Sequence, residues 1–269
     1  LSYYPNILII LNIDYDHVDF FKTREKYFEA FRNASKNAST LIIEDSIRLD
    51  HPNKHSFSLS NEEAELYGKI ILENEEYSLI RLKYKDMIKE IKSPFVTKYE
   101  NENLLAAILA CLLLGRSLDE VLGRLKSFKR PKRRMDVRHV KNKILVLDYA
   151  HHPSQLKALY EYINNSFPSL KKLIIYEGHT LSRSLYFKRE YKDTLAKFDK
   201  VYLYPIYYAR EEKCKSEREY YRYLKFPKYK RKSLIKDFKK NNFVFIFAGA
   251  GEINFEFEKA YRFILNAKV

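Results

Sequence analysis

The sequence has no tryptophan, two cysteines, two methionines and only six glycines among 269 residues. So little glycine excludes collagen-like and glycine-rich low-complexity chains. Cys111 and Cys214 lie far apart in unlike surroundings. They form neither a disulfide framework nor a paired-cysteine metal motif, and a reducing, cytoplasmic compartment is expected. No apolar run approaches the length of a membrane span, and no signal-peptide pattern opens the chain. The first residue is Leu1 and the first methionine is Met87, inside a patterned region. The chain therefore reads as a fragment, a processed product or a partial reading frame.

Acidic residues are also short. Lys and Arg number 50 against 35 Asp and Glu, a net charge of +15. Such a chain attracts phosphorylated small molecules, nucleic acid or acidic membranes. The excess clusters between Lys213 and Lys240, with tyrosines interleaved. Basic and aromatic residues together can bind single strands. No nucleic-acid motif accompanies them, so a solvated helical face is the preferred reading and nucleic acid is not an expected partner. What the chain does have is a 46% hydrophobic content with 23 Tyr and 18 Phe, enough for a large aromatic core.

The hydrophobic pattern alternates between two periods. Asn6–Ile13 reads as a buried strand, followed by an acidic turn over Asp14–Asp19. Thr23 then caps a helix whose apolar face is Tyr27, Phe28 and Phe31, and Thr40–Ile43 is the next strand. This is the βαβ grammar of a parallel sheet. His51–Asn61 reads as polar turn. Lys69–Leu72 and Tyr77–Leu82 predict a hairpin, with a third strand near Met87–Ile91. Asn101–Leu114 reads as a buried helix ended by Gly115, and Ser117 caps another. Lys126–Arg134, basic and containing Pro131, is the expected domain boundary. Beyond it, strands at Lys143–Leu147, Lys171–Tyr176, Lys200–Pro205 and Phe243–Ala248 alternate with helices from Pro153, from about Leu185, near Ser233–Lys240 and over Phe255–Leu265. Four such units predict a small doubly wound sheet.

Chemistry-bearing residues gather in the expected turns. Leu147-Asp148-Tyr149-Ala150-His151-His152-Pro153 joins a buried strand to a helix that starts at proline. An acid, a phenol and two imidazoles thus sit at the carboxyl end of a strand, where α/β sheets bind ligands. Asp and His are also ordinary turn and cap residues. His179, Ser182 and Arg183 follow the second strand and Gly249 and Gly251 the fourth, so all reach the same edge. Asp14, Asp16, His17 and Asp19 form either a capping turn or a site for a hard cation.

Four segments, in order, resemble the Mur ligase family. Asn12-Ile13-Asp14-Tyr15-Asp16-His17-Val18-Asp19 is similar to its N-I-E-x-D-H-x-D, and Asp148–Pro153 to its D-Y-A-H-H-P signature. His179-Thr180-Leu181-Ser182-Arg183 resembles H-x-Y-S-R, and Gly249-Ala250-Gly251-Glu252-Ile253 resembles G-A-G-D-I. Arg133-Arg134 resembles the arginine pair that opens the last domain of that family. Of the H-N-x-x-N-A-x-A-A segment, Asn103 matches the second asparagine, whereas Tyr99 and Glu100 replace the His and Asn.

The resemblance implies an α/β protein. Residues 1–130 would be the later part, or remnant, of a central parallel-sheet ATPase domain, and residues 131–269 a Rossmann-like doubly wound C-terminal domain. It implies ATP-dependent joining of L-alanine to UDP-N-acetylmuramate in peptidoglycan synthesis, with ATP and Mg2+ as cofactors. His17 would hold the metal, and Asn103, Arg134 and Asp148 would contact nucleotide. Asp148, Tyr149, His151, His179 and Arg183 would line the acceptor and amino-acid side. The family's glycine-rich phosphate loop, G-T-x-G-K-T, has no counterpart here, nor has its UDP-sugar domain. Inactivity of the chain alone follows as an expectation, with a separate polypeptide as a candidate carrier of the rest. A related peptide-adding ligase and a non-catalytic binding module are the alternatives.

Overall fold

The computed structural model describes residues 3–74, 76–125, 127–128, 131, 133–212, 215–240 and 242–267. The sequence readings at Leu1, Lys213 and Cys214, and at Lys126, Lys129, Arg130 and Lys132 of the basic hinge, lie outside the described residues. The chain is α/β and divides into two compact units, Leu1–Lys129 and Arg130–Val269.

The first unit is a six-stranded sheet in sequential order. Its strands are β1 (Ile7–Ile10), β2 (Thr40–Glu44), β3 (Lys54–Ser58), β4 (Leu66–Glu73), β5 (Ser78–Tyr84) and β6 (Met87–Ser93). β1 to β4 pair in parallel, and β4, β5 and β6 pair antiparallel. Helix α1 (Arg24–Lys36) connects β1 to β2, and the Thr23 hydroxyl caps it by accepting from Lys26 N. Helix α2 (Lys98–Leu113) presents Leu104, Leu105, Ile108 and Leu109 to a core that includes Ile42, Phe57, Leu66, Ile80 and Leu82. Gly115 follows at φ +80, the left-handed conformation that ends a helix. In α3 (Leu118–Leu125), Ser117 and Glu120 satisfy each other's backbone N–H groups.

The second unit is a five-stranded sheet in the order β10-β9-β11-β8-β7. β8 (Lys143–Asp148), β9 (Lys171–His179), β10 (Lys200–Tyr207) and β11 (Phe243–Ala248) run parallel, and β7 (Asp136–Val140) is an antiparallel edge. All six residues of β11 are buried, as its central place requires. Helices α4 (Pro153–Ser166), α5 (Leu181–Tyr186), α6 (Lys188–Leu195), α7 (Ser216–Leu224), α8 (Arg231–Phe238) and α9 (Ile253–Asn266) complete the unit. One core cluster joins Leu145, Leu147, Leu173, Phe245 and Phe247 to Leu234, Phe257 and Ile264.

Three elements depart from the sequence reading. β3 forms within the polar stretch read as turn, where only Phe57 and Ser58 of Lys-His-Ser-Phe-Ser are buried. β7 extends the expected four-stranded sheet to five. α7 arises inside the basic run. Its tyrosines pack inward: Tyr220 is buried, the Tyr221 hydroxyl donates to Tyr204 O and accepts from Ile206 N, and Tyr223 lies under Lys188 and Lys192. No described helix is long and apolar enough to cross a membrane.

Candidate functional site at the carboxyl edge of the second sheet

The loop after β8 is fixed from within. Asp148 is 3% exposed. One of its oxygens accepts from Ala150 N at 2.7 Å and the other from Met135 N at 2.9 Å. The carboxylate thus ties the start of the unit to the turn. The two adjacent histidines part company. His152 is the cap of α4: its Nδ1 accepts from Ser154 N, and the Gln155 side chain accepts from His151 N and His152 N. His152 packs its ring on Phe187 and is a structural group.

His151 belongs instead to a row of rings. Tyr149, His151, His179 and Tyr207 follow one another with centroid separations of 5.2, 5.2 and 5.6 Å. The row runs across the ends of β8, β9 and β10. Hydrogen bonds set the tautomers. His151 Nδ1 lies 2.9 Å from Tyr149 O, a pure acceptor, so Nδ1 carries a proton, and in the neutral ring the lone pair is on Nε2. His179 Nδ1 lies 3.0 Å from Arg183 Nη1, a pure donor, so the neutral ring carries its proton on Nε2. The two neighbouring imidazoles, when neutral, are therefore opposite tautomers. Behind them, the Tyr191 hydroxyl donates to His151 O at 2.6 Å, and buried Arg183 also donates to His179 O at 3.0 Å. Arg183 is thus a support for His179.

Two arginines flank the row. The guanidinium carbons of Arg133 and Arg134 lie 5.1 and 5.0 Å from the Tyr149 ring centre. Arg133 also donates to Gly251 O at 3.0 Å and Gly249 O at 3.4 Å.

The glycine turn after β11 serves an internal anion. Glu177, 1% exposed, accepts from Gly251 N at 2.8 Å, Glu252 N at 2.8 Å and Ile253 N at 3.3 Å. Its carboxylate occupies the start of α9, where a phosphate would otherwise be at home. Burial pushes the carboxyl up, and the three N–H donors pull it back down in part. A Cβ on Gly249 would stand 2.7 Å from Glu177 Cβ, and one on Gly251 would run into the Tyr207 ring. Glu211 treats α5 likewise, accepting from Leu181 N, Ser182 N and the Ser182 hydroxyl. Sequence reasoning missed Glu177, Glu211, Tyr191 and Tyr207. A lone acid closing the apolar strand Lys171–His179 was the one readable signal for Glu177.

In the first unit, the loop after β1 turns at His17, with φ 52. His17 O accepts from Phe20 N and Phe21 N, and Asp16 accepts from His17 N at 2.7 Å. Tyr15 is the buried anchor, its hydroxyl donating to Phe21 O at 2.6 Å. His17, Asp14 and Asp19 are exposed. Among the described residues no group of three or more His, Cys, Asp or Glu side chains could hold a metal ion. The loop alone therefore does not fit a metal centre, and His17 offers one ring nitrogen. Asn103 is exposed on α2, whereas Asn101 is buried, accepting from the Ser93 hydroxyl at 2.6 Å and donating to Ser78 Oγ at 3.0 Å. Glu100 is buried too, paired with the cap residue Thr97.

The two parallel-dominant sheets have the fold of Mur ligase middle and C-terminal domains. The chain of the Thermotoga maritima UDP-N-acetylmuramate-alanine ligase MurC superposes with TM-score 0.73 at 23% identity, over 97% of this chain and 60% of that one. A pseudomurein peptide ligase type C from Methanothermus fervidus gives 0.74 at 16% identity, over 96% and 63%. A MurF ligase from Thermotoga maritima, in complex with ADP, gives 0.71 at 19%, over 97% and 62%. The Mur ligase middle domain model matches residues 1–111. The chain belongs to the Mur ligase family. Within it, the chain is similar to UDP-N-acetylmuramate–L-alanine ligases. That of Clostridium acetobutylicum is 33% identical over 225 residues, 79% of this chain and 48% of the relative. That of Lactobacillus delbrueckii subsp. bulgaricus is 30% identical over 220 residues, 79% and 50%. The chain spans about half the length of these curated relatives.

Proposed function

We propose that this chain carries the amino-acid side of an ATP-dependent ligase that joins L-alanine to UDP-N-acetylmuramate in peptidoglycan synthesis. In such a reaction a carboxylate takes the terminal phosphoryl group of ATP, leaving ADP. The amine then displaces phosphate from the acyl phosphate and forms the amide. An amine attacks only after losing its proton. The observation that carries the reading is the His151–His179 pair, 5.2 Å apart, whose Nδ1 contacts favour opposite tautomers of the neutral rings. His151 would accept the ammonium proton and His179 would orient the incoming group. Arg134 and Asn103 would contact nucleotide, and His17 would be this chain's contribution to holding a Mg2+ that would offset negative charge on the nucleotide. Asp148 and Arg183 would act through the geometry of the loop and of His179, and Tyr149 would present the arginines.

The experiment is ADP release from ATP and UDP-N-acetylmuramate, with L-alanine compared against a tripeptide. The chain alone is expected to be silent. When it is combined with the part of a relative that it does not match, L-alanine should support turnover, and His151→Ala should lower kcat by about 10²–10⁴. Turnover by the chain alone would refute the expected inactivity, and preference for the tripeptide would identify a peptide-adding ligase. One observation favours a second reading, a non-catalytic binding module: Glu100 stands where the family has an asparagine and is engaged by the helix-cap residue Thr97. Absence of ATP binding in the combined protein would select it.

A further inference from the structure

The layer of α8 and α9 over the second sheet is divided by charge. The two helices meet at Phe238 and Phe263, whose ring centroids lie 6.2 Å apart, and their inner residues Leu234, Phe257 and Ile264 belong to the core cluster. Every acid of the two helices is turned inward or paired. Asp237 is 3% exposed and accepts from Lys200 Nζ at 2.7 Å and from the Tyr202 hydroxyl at 2.8 Å. Glu256 is 6% exposed and accepts from the Tyr229 hydroxyl at 2.6 Å. Glu258 is half-buried, 2.9 Å from Arg138. The outward side chains are of another kind. Arg231, Lys232 and Lys236 of α8 and Lys259 and Arg262 of α9 are exposed. So are Phe255, Phe263, Leu265 and Asn266 of α9, and none of these nine is acidic. Exposed Glu252 precedes α9, at the carboxyl edge of the sheet.

Phe255, Lys259, Arg262 and Asn266 recur at three- and four-residue spacing, one stripe along α9. Between the helices, Arg231, Lys259 and Arg262 line an open groove of ≈ 440 Å³ with Phe263, Asn266 and Ala267. Arg231 and Lys259 stand 3.9 Å from the Glu256 carboxylate, beyond hydrogen-bonding reach, so their donors stay available to another anion. Exposed Lys228, Lys230, Lys239 and Lys240 flank α8. Phe255 is 62% exposed and Leu265 50%. Cations set among outward phenylalanine and leucine complement a surface of phosphates with hydrocarbon beneath it. A nucleic-acid strand fits less well. Phe255 and Phe263 are eight residues apart on the helix. That is roughly 12 Å, against about 3.4 Å between stacked bases, so the two rings do not serve neighbouring bases.

We propose that the outer face of α8 and α9 is a docking surface for an acidic lipid bilayer. Arg231, Lys259 and Arg262 meet the phosphates of anionic headgroups, while Phe255, Phe263 and Leu265 enter the boundary between headgroups and acyl chains. The association is peripheral and reversible, held by charge and by a few apolar side chains. The basic run up to Lys240 thus acts through its second part, since its first part folds as α7 with tyrosines packed inward. The inference is independent of the ligase reading, because none of these residues belongs to the row of rings from Tyr149 to Tyr207.

The test is co-sedimentation of the 269-residue chain with vesicles of phosphatidylglycerol and phosphatidylcholine, and with vesicles of phosphatidylcholine alone. The chain should bind the acidic vesicles and not the neutral ones, and added salt should weaken the binding. Lys259→Gln with Arg262→Gln should lower the affinity about thirtyfold, the loss of two cations near an anionic surface. Lys157→Gln with Arg189→Gln, an equal change of charge on α4 and α6, should alter it less than about threefold. The sequence has no tryptophan, so Phe255→Trp places a single reporter on the face. Its emission should move to the blue on acidic vesicles, and that of Tyr186→Trp, at an exposed position of α5, should not. Five results would overturn the proposal: no binding to acidic vesicles, equal binding to neutral ones, equal losses from the two pairs of substitutions, unmoved emission in Phe255→Trp, or tighter binding of a single-stranded oligonucleotide than of acidic vesicles. The last would make nucleic acid the partner of this face.

Discussion

At the scale of single residues, the carboxyl edge of the second sheet is held by carboxylates turned inward. Glu177 is the clearest case, because three backbone N–H groups at the start of α9 depend on one buried side chain. Glu177→Ala should destabilise the protein by about 1–3 kcal/mol or more, since buried donors lose their acceptor. The charge also gives a pH signature. Burial raises the folded-state carboxyl above its ordinary value. The folded protein therefore binds this proton more tightly than the unfolded chain does. The associated stability is fully present below the unfolded value and is lost as pH rises through the folded one. Urea denaturation at pH values rising from the ordinary carboxyl range should show this falling contribution in wild type and not in Glu177→Gln. Equal slopes in the two proteins would show that Glu177 does not titrate in this way.

At the scale of elements, the sequence was most readable where one face of an element does one job. β8, β11 and α4 follow their apolar patterns, and Asp148–Pro153 falls in the turn between strand and helix. The polar strand β3 was hidden because sheet neighbours, not its own residues, make it a strand. β7 and α7 were hidden by charge. The site was legible only in part. His151 and His179 could be placed on one edge, but the different jobs of His151 and His152 depend on Gln155, Ser154 and Tyr191. Glu177 reaches its turn across 74 residues of sequence, a contact that no local pattern announces. Helix α2 shows the same limit. Its asparagines look alike in sequence, yet Asn101 bridges Ser93 and Ser78 inside the core while Asn103 faces outward. Asn101→Ala should cost about 1–3 kcal/mol, whereas Asn103→Ala should stay within about 0.5 kcal/mol of wild type. Thermal unfolding of both variants checks this, and comparable losses would mean that the two positions are not distinct. If Asn103 also contacts nucleotide, its variant should lose ATP affinity without losing stability.

At the scale of the whole molecule, the two units differ in how complete each sheet is. The second unit has a contiguous core, a fully buried central strand and edges protected by charge, proline or an overlying segment. Each of these contacts lies within Arg130–Val269. Expressed alone, that stretch should therefore be soluble and unfold in one cooperative step, with a stability of about 5–15 kcal/mol. The first unit has its own core, but its sheet ends on the uncharged strand β1. Leu1–Lys129 alone should self-associate as concentration rises, because an apolar edge is a template for another strand. Ile9→Lys should suppress that association, by placing a charge on the edge, while leaving the secondary structure unchanged. Sedimentation of both units across a concentration series, with circular dichroism of the variant, decides the matter. A second unit that associates as readily as the first would show that edge chemistry does not govern this chain's behaviour. A first unit that stays monomeric would show that β1 is closed in solution by residues of its own.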